Sequence, residues 1–237
     1  MAFPCVLCHA PSLQGICDHC FERYLSSPFP RCTCCGNSLP SGNGMARDAL
    51  CGDCLKKRPS FDRTVVTTDY APPVDQLVHR LKFQFQLAIA PLMGKLIYQS
   101  IQKENRPADF FPDCVIGVPL GKRRLIERGF NQSHEIARTL AKLLEIELRA
   151  DLVERNRDTE KQSTVSFQDR KKNVHNAFTV NDKATDFLSG KHIGIVDDVM
   201  TTGHTLEEIA RVLKKSGVKQ VTNFVFARTL PKTSQEN

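Results

Sequence analysis

Tryptophan is absent from the 237 residues, and aromatic side chains of all kinds make up only 7%. No apolar run approaches the roughly 18 residues that a membrane-crossing helix needs. The longest candidate, Leu87 to Tyr98, is interrupted by Pro91, Gly94 and Lys95, so no membrane insertion is expected. The start, Met1-Ala2-Phe3-Pro4-Cys5, lacks the basic-then-apolar order of a secretory signal. A cytoplasmic location is the expectation. Beyond residue 60 there is no internal repeat or low-complexity tract, and cysteine nearly vanishes, leaving only Cys114. With 41% apolar and 25% charged residues, a disordered or collagen-like chain is excluded.

Nine of the 10 cysteines lie in the first 54 residues. That head has few long aliphatic side chains and many turn formers, among them Pro28, Pro30, Pro40 and Ser41-Gly42-Asn43-Gly44. Such a segment buries too little apolar surface to fold alone and needs a staple. The expected division is therefore a stapled module over residues 1–60 and one single-core domain over 61–237.

Eight of the cysteines form four Cys-x-x-Cys pairs: Cys5/Cys8, Cys17/Cys20, Cys32/Cys35 and Cys51/Cys54. Each pair sets two sulfurs on one tight knuckle, and two knuckles complete a tetrahedral four-sulfur site suited to Zn2+. A disulfide framework does not fit a chain without an export signal. Four pairs in so short a span also do not resemble a thioredoxin-like redox site. Two pairings suit this spacing, consecutive knuckles sharing a metal or the two sites interleaving; the short gap between Cys8 and Cys17 favours tandem ribbons. A site closed by four sulfurs is structural and not catalytic. Cys34 reads as a bystander, and Cys114, in an apolar run, as a buried small residue.

The body alternates β-rich and amphipathic stretches. Thr64 to Tyr70 reads as a strand, and Val74, Leu77, Val78 and Leu81 keep helical spacing; a second helix is expected after Pro91. Cys114 to Val118 and Ile193 to Val196 read as buried parallel strands. Ile136, Leu140, Leu143 and Leu144 form one helical stripe, and Leu206, Ile209, Ala210 and Leu213 another, with Gly217 as its C-cap. Gln220 to Arg228 closes the series as a strand. The pattern predicts an α/β fold, an open and mostly parallel sheet with helices on both faces. Ligands bind such sheets at the carboxyl ends of the strands.

The segment His192 to Leu206 carries the chemistry. A buried strand ends in Asp197 and Asp198, whose adjacent carboxylates can accept hydrogen bonds from a vicinal diol. A loop with Thr201, Thr202, Gly203 and His204 follows, and then a helix begins near Thr205. Free amides and the positive end of a helix favour a phosphate there, with threonine hydroxyls as further donors. Gly203 allows close backbone approach. Each piece also has a plain reading: Thr205 with Glu208 is a capping box, and paired aspartates suit a solvated turn. In this order, the string matches the phosphoribosyl-pyrophosphate signature of type I phosphoribosyltransferases.

Further segments resemble the ComF family, which joins zinc ribbons to a phosphoribosyltransferase-like domain. They are the four cysteine pairs, Leu81-Lys82-Phe83, Val118-Pro119-Leu120, Arg124, Arg128-Gly129-Phe130-Asn131-Gln132, and Gln162, Arg170 and Asn173 before Ala177-Phe178. The resemblance runs from Cys5 to about Arg228, with His204 and Cys34 as departures. It implies a cytoplasmic role in natural transformation, with single-stranded DNA and a helicase-like competence ATPase as partners. It also implies that Asp197 and Asp198 hold the ribose hydroxyls as the catalytic pair, and that Thr201, Thr202, Gly203, His204 and Thr205 hold the 5′-phosphate. Pro119, Leu120 and Gly121 would line a pyrophosphate loop, helped by Arg124 or Arg128. Mg2+ would arrive with phosphoribosyl pyrophosphate, keeping most of its water. Residues 155–172 would form a hood closing Lys161 and Arg170 over the phosphates.

Two kinds of function follow. One is a Mg2+-dependent phosphoribosyltransferase with an acceptor that the sequence does not name. The other is a module that binds single-stranded DNA or docks a partner while retaining the sugar-pyrophosphate site as a sensor. Phe21, Tyr24, Phe83, Phe85 and Phe130 are available for base stacking but form no spaced platform. His134 and His175 read as polar surface residues and not as general bases. The net charge of +7 concentrates in residues 119–131 and 155–172, so a small anion explains it as well as nucleic acid does.

Overall fold

The computed structural model describes residues 3–26, 30–40, 48–104, 110–156 and 176–230. Lys161, Gln162, Arg170, Asn173 and His175 lie outside the described residues.

The head contains a two-stranded hairpin, β1 (Phe3–Pro4) and β2 (Pro11–Ser12), and two short helices, α1 (Asp18–Cys20) and α2 (Gly52–Lys56). The body opens with β3 (Arg63–Asp69), α3 (Val74–Phe83) and α4 (Ile89–Lys103). Next come β4 (Cys114–Gly117), α5 (Lys122–Arg128), α6 (Gln132–Leu144) and β5 (Glu147–Leu148). A small antiparallel pair, β6 (Val153–Arg155) and β7 (Phe178–Val180), precedes the short α7 (Thr185–Leu188). The chain then closes with β8 (His192–Met200), α8 (His204–Lys215) and β9 (Gln220–Arg228). Among the described residues, no helix is long and apolar enough to cross a membrane.

Five strands form a wholly parallel sheet in the order β3-β9-β8-β4-β5. Strand alternation gives each face its own core. On one face Ile193, Ile195, Val221 and Val225 meet Leu206, Ile209 and Leu213 of α8. On the other, Val196, Phe224 and Phe226 meet Leu77, Leu81, Met93, Ile97, Ile136 and Leu140 of α3, α4 and α6. Gly194 makes room for this second core: a Cβ there would sit 2.8 Å from Phe224 Cε2. Helices on both faces are thus observed as expected.

Each half of the head joins a different core. Cys5, Ile16, Cys20 and Leu25 pack with α3, α4 and α6, whereas Cys32, Cys34, Cys35, Leu39 and Cys54 pack with the α8 face. Thr68 Oγ1 donates to Tyr24 O at 2.7 Å and Arg80 Nη1 to Val6 O at 2.8 Å on the first side. Thr64 Oγ1 donates to Cys34 O at 2.6 Å on the second.

Two local expectations need correction. Helix α4 starts at Ile89, ahead of Pro91, because proline in a first turn removes only an amide that has no intrahelical partner. Strand β8 does not stop before the aspartates but pairs with β9 as far as Met200↔Arg228.

Candidate functional site

The site lies where neighbouring strands send their connections to opposite faces. β4 continues into α5 and α6 on one side of the sheet, and β8 continues into α8 on the other, which opens a crevice at their carboxyl ends. The register sharpens it. β4 pairs with β8 only up to Gly117↔Val196, so the next residues of β8 are left open on that edge. Those residues are Asp197 and Asp198.

Several sequence features hold this corner in place. Gly129 takes a left-handed conformation, φ 73°, and ends α5. Asn131 caps α6, its side chain accepting from the amides of Ser133 and His134 while Nδ2 donates to Val118 O at 3.0 Å. Gly117 permits the approach of α6 to β4, since a Cβ there would stand 2.6 Å from His134 N. As a result Ser133 reaches the crevice, and its hydroxyl donates to Asp197 Oδ1 at 3.0 Å. Asp197 Oδ1 also accepts the Asp198 amide at 3.0 Å.

Asp198 is nearly sealed from solvent, its side chain only 3% exposed, yet it carries a charge partner. Lys82 Nζ from the end of α3 lies 2.8 Å from Asp198 Oδ2, and Asp198 Oδ1 accepts the Val199 amide at 2.8 Å. The Asp197 carboxyl is pushed up to about 7, chiefly by burial and then by the adjacent Asp198 carboxylate; Lys82 and the Ser133 hydroxyl pull it back.

The loop after β8 has the geometry of an anion cradle. Gly203, at φ 80°, is the N-cap of α8, and no side chain caps the helix. The capping box, the plain alternative reading of Thr205 and Glu208, does not form, because Gly203 and not Thr205 is the N-cap. Glu208 instead accepts the Asn176 amide at 2.7 Å and pairs with Arg211 at 2.6 Å, because the fold brings the β7 approach alongside α8. In the first turn of this 12-residue helix the His204 amide makes only a long 3.5 Å contact to Thr202 Oγ1 and the Glu207 amide donates to Gly203 O at 2.9 Å, while the N-cap residue supplies no side-chain acceptor.

One pocket gathers most of the residues anticipated from sequence: Asp197, Asp198, Thr201 to Thr205, Leu120 and Arg124 line it. Pro119 and Gly121 flank Leu120 without lining it, and Arg128 lies alongside, donating to Gln132 Oε1 at 2.9 Å over the Phe83 ring. Burial lowers the Arg128 guanidinium, and the nearby Asp198 charge opposes this. Lys82, Ser133, Gln132 and Arg155 also line the pocket. Lys82 and Gln132 stand in the Leu81-Lys82-Phe83 and Arg128 to Gln132 strings and Arg155 opens the expected hood, whereas Ser133 left no signal in the sequence. Three cations therefore surround two carboxylates. His134 does not line the pocket.

The cysteines assemble as two separate clusters, Cys5, Cys8, Cys17 and Cys20, and Cys32, Cys35, Cys51 and Cys54. Consecutive knuckles are the ones that share a centre. Within each, the sulfurs lie within 4.8 Å of one another, and the Cys8–Cys17 and Cys35–Cys51 pairs are 3.5 and 3.6 Å apart. Four sulfurs at a Zn–S distance of about 2.3 Å would be about 3.8 Å apart, so both sets fit a tetrahedral metal. Cys34 belongs to neither; its buried thiol faces Phe61 O at 3.9 Å.

Comparison with known proteins agrees with this geometry. The model of the phosphoribosyl transferase domain matches residues 86–236. DNA utilization protein YhgH of Escherichia coli (strain K12) is 36% identical over 230 residues, covering 95% of this chain and 97% of the relative. Competence protein F of Haemophilus influenzae is 33% identical with the same coverage. Competence protein ComFC of Bacillus subtilis is 28% identical over 227 residues, covering 91% of this chain and 85% of the relative.

Proposed function

This chain belongs to the phosphoribosyl transferase domain family, among relatives named for competence and DNA utilization, and from that premise we propose that it binds phosphoribosyl pyrophosphate with Mg2+ and acts in DNA uptake in the cytoplasm. The observation that carries the reading is the unbroken sequence of parts along one crevice: open strand edge, two carboxylates, uncapped loop, helix N-terminus.

In this reading the ribose diol donates to Asp197 and Asp198, and the 5′-phosphate sits on the amides and hydroxyls of Thr201 to Thr205. Arg124, Arg155 and Lys82 face the pyrophosphate. The adjacent carboxylates of Asp197 and Asp198 are hard oxygen donors of the kind Mg2+ takes; with Asp198 already paired to Lys82, the ion would be held chiefly by the pyrophosphate and would help neutralise its charge. Transfer would break the anomeric C–O bond, release pyrophosphate and form a bond from that carbon to a nucleophilic acceptor. The chain's part is to hold the diol, stabilise the leaving charge and exclude water. Zn2+ in the two four-sulfur sites stiffens the head.

A second reading, a non-catalytic module that binds single-stranded DNA or docks a competence ATPase while sensing the sugar pyrophosphate, draws on a different observation. Phe83 and Phe85 stand 59% and 56% exposed, and Arg128 of the basic helix α5 lies over the Phe83 ring.

Calorimetry with phosphoribosyl pyrophosphate and Mg2+ tests the shared core of both readings. Wild type should bind, and the double variant Asp197→Asn with Asp198→Asn should not; equal affinity of the two sinks the site. Pyrophosphate release in the presence of single-stranded DNA or other acceptors separates transfer from sensing. For the second reading, DNA affinity should fall steeply with salt, and a flat profile would count against it.

A further inference from the structure

Arg228, the last residue of β9, is 7% exposed and joins two parts of the molecule that lie far apart in sequence. Its Nη1 donates to Met200 O at 3.0 Å and to Thr201 O, where β8 gives way to the phosphate loop. Its Nε donates to Cys35 O at 3.3 Å, in the second sulfur cluster. A guanidinium holds its donors in one rigid plane, so fixing one edge fixes the other.

Among the described residues, the hydrogen-bond partners of this buried cation are main-chain carbonyls, with no carboxylate among them. A divalent metal on four thiolates carries a net charge of about −2, and that charge would sit beside Arg228 as its counter-ion. The same module also grips the far end of the loop. The Ser60 amide and hydroxyl each donate to the Glu207 carboxylate at 2.7 Å, in the first turn of α8. The loop is thereby bracketed on both sides by the half of the head that holds Cys32, Cys35, Cys51 and Cys54. The half that holds Cys5, Cys8, Cys17 and Cys20 has different ties, to Thr68 and Arg80.

We propose that Arg228 is a positioning residue coupling the second four-sulfur site to the phosphate loop, so that metal held by Cys32, Cys35, Cys51 and Cys54, and not by the first set, fixes the loop for its anion. This rests on the phosphate-binding role given to the loop above, although its structural half can be tested without any ligand.

The experiment compares full-length wild type with Arg228→Met, Cys54→Ser and Cys20→Ser. Zinc content, hydrogen exchange of the amides of residues 201–206 and calorimetric affinity for phosphoribosyl pyrophosphate with Mg2+ are measured for each. Hydrogen bonds from a charged group correspond to at least roughly tenfold in an equilibrium. Arg228→Met should keep the wild-type metal content, raise loop exchange about tenfold and weaken affinity by a similar factor. Cys54→Ser should lose one metal and show the same loop exchange. Cys20→Ser should lose one metal with loop exchange within about twofold of wild type. Wild-type exchange in Arg228→Met or Cys54→Ser overturns the coupling, as does a Cys20→Ser loop as fast as that of Cys54→Ser. If Arg228→Met does not fold, Arg228→Lys, which keeps the charge but not the planar fork, replaces it under the same criteria. Absence of ligand binding by wild type would defeat the functional reading alone, because the exchange comparison still decides the coupling.

Discussion

Replacing Asp197 by asparagine should stabilise the protein at neutral pH while weakening its ligand site. The side chain accepts from the Ser133 hydroxyl and the Asp198 amide through Oδ1, and an asparagine oxygen can accept both. What the substitution removes is a charge held beside Asp198, in a corner where burial pushes the carboxyl from 3.8 up to about 7. The unfolded chain ionises this group near its ordinary value, whereas the folded chain keeps its proton until about pH 7. Between those limits the folded state binds more protons, so wild-type stability falls as pH rises, by about 1.4 kcal/mol per pH unit. From pH 5.5 to 7 the advantage of Asp197→Asn over wild type should grow by about 2 kcal/mol and then level off. Urea unfolding of both proteins at pH 5.5, 6, 7 and 8 measures that difference, in which titrating groups that do not interact with Asp197 cancel. A pH-independent difference, or a variant less stable than wild type at pH 8, would refute the electrostatic account. The same carboxylate must ionise to accept a ribose diol, so ligand affinity should rise with pH over this window.

Two further outcomes follow from the same corner. Lys82→Met leaves the Asp198 carboxylate, 3% exposed, without its 2.8 Å partner, and should cost about 3 kcal/mol in urea unfolding at pH 7; a loss under about 0.5 kcal/mol would show that solvent already neutralises the pair. Gly203→Ala forces an L residue to φ 80° with its Cβ 2.6 Å from Met200 Cε, and should lower stability by about 1–2 kcal/mol and loosen the loop. An unchanged melting temperature together with unchanged sugar-pyrophosphate affinity would contradict it.

The parts legible in sequence are those whose partners are near neighbours along the chain. Cys-x-x-Cys spacing sets two sulfurs on one turn wherever that turn lies, and the run from Ile193 to Thr205 keeps strand, carboxylates and loop in a fixed order. Period-2 and period-3.6 patterns likewise give the alternation of strands and helices. Local signals misled where distant groups competed for the same atoms. Thr205 and Glu208 spell a capping box, yet the Asn176 amide and Arg211 take the Glu208 carboxylate. The apolar run reads as a strand that ends at the aspartates, but pairing with β9 carries it to Met200.

Sequence by itself determined the cysteine knuckles, the carboxylate–loop–helix string and the α/β class. Only the tertiary structure decided which residues answer them: Lys82 on Asp198, Ser133 on Asp197 across 64 positions, and Arg228 on Cys35 across 193. It also decided that the two halves of the head pack on opposite faces of the sheet. Backbone conformation and turn geometry follow from adjacent residues. Neutralising a buried charge takes a partner within a few ångströms, and the fold alone determines which distant segment supplies it.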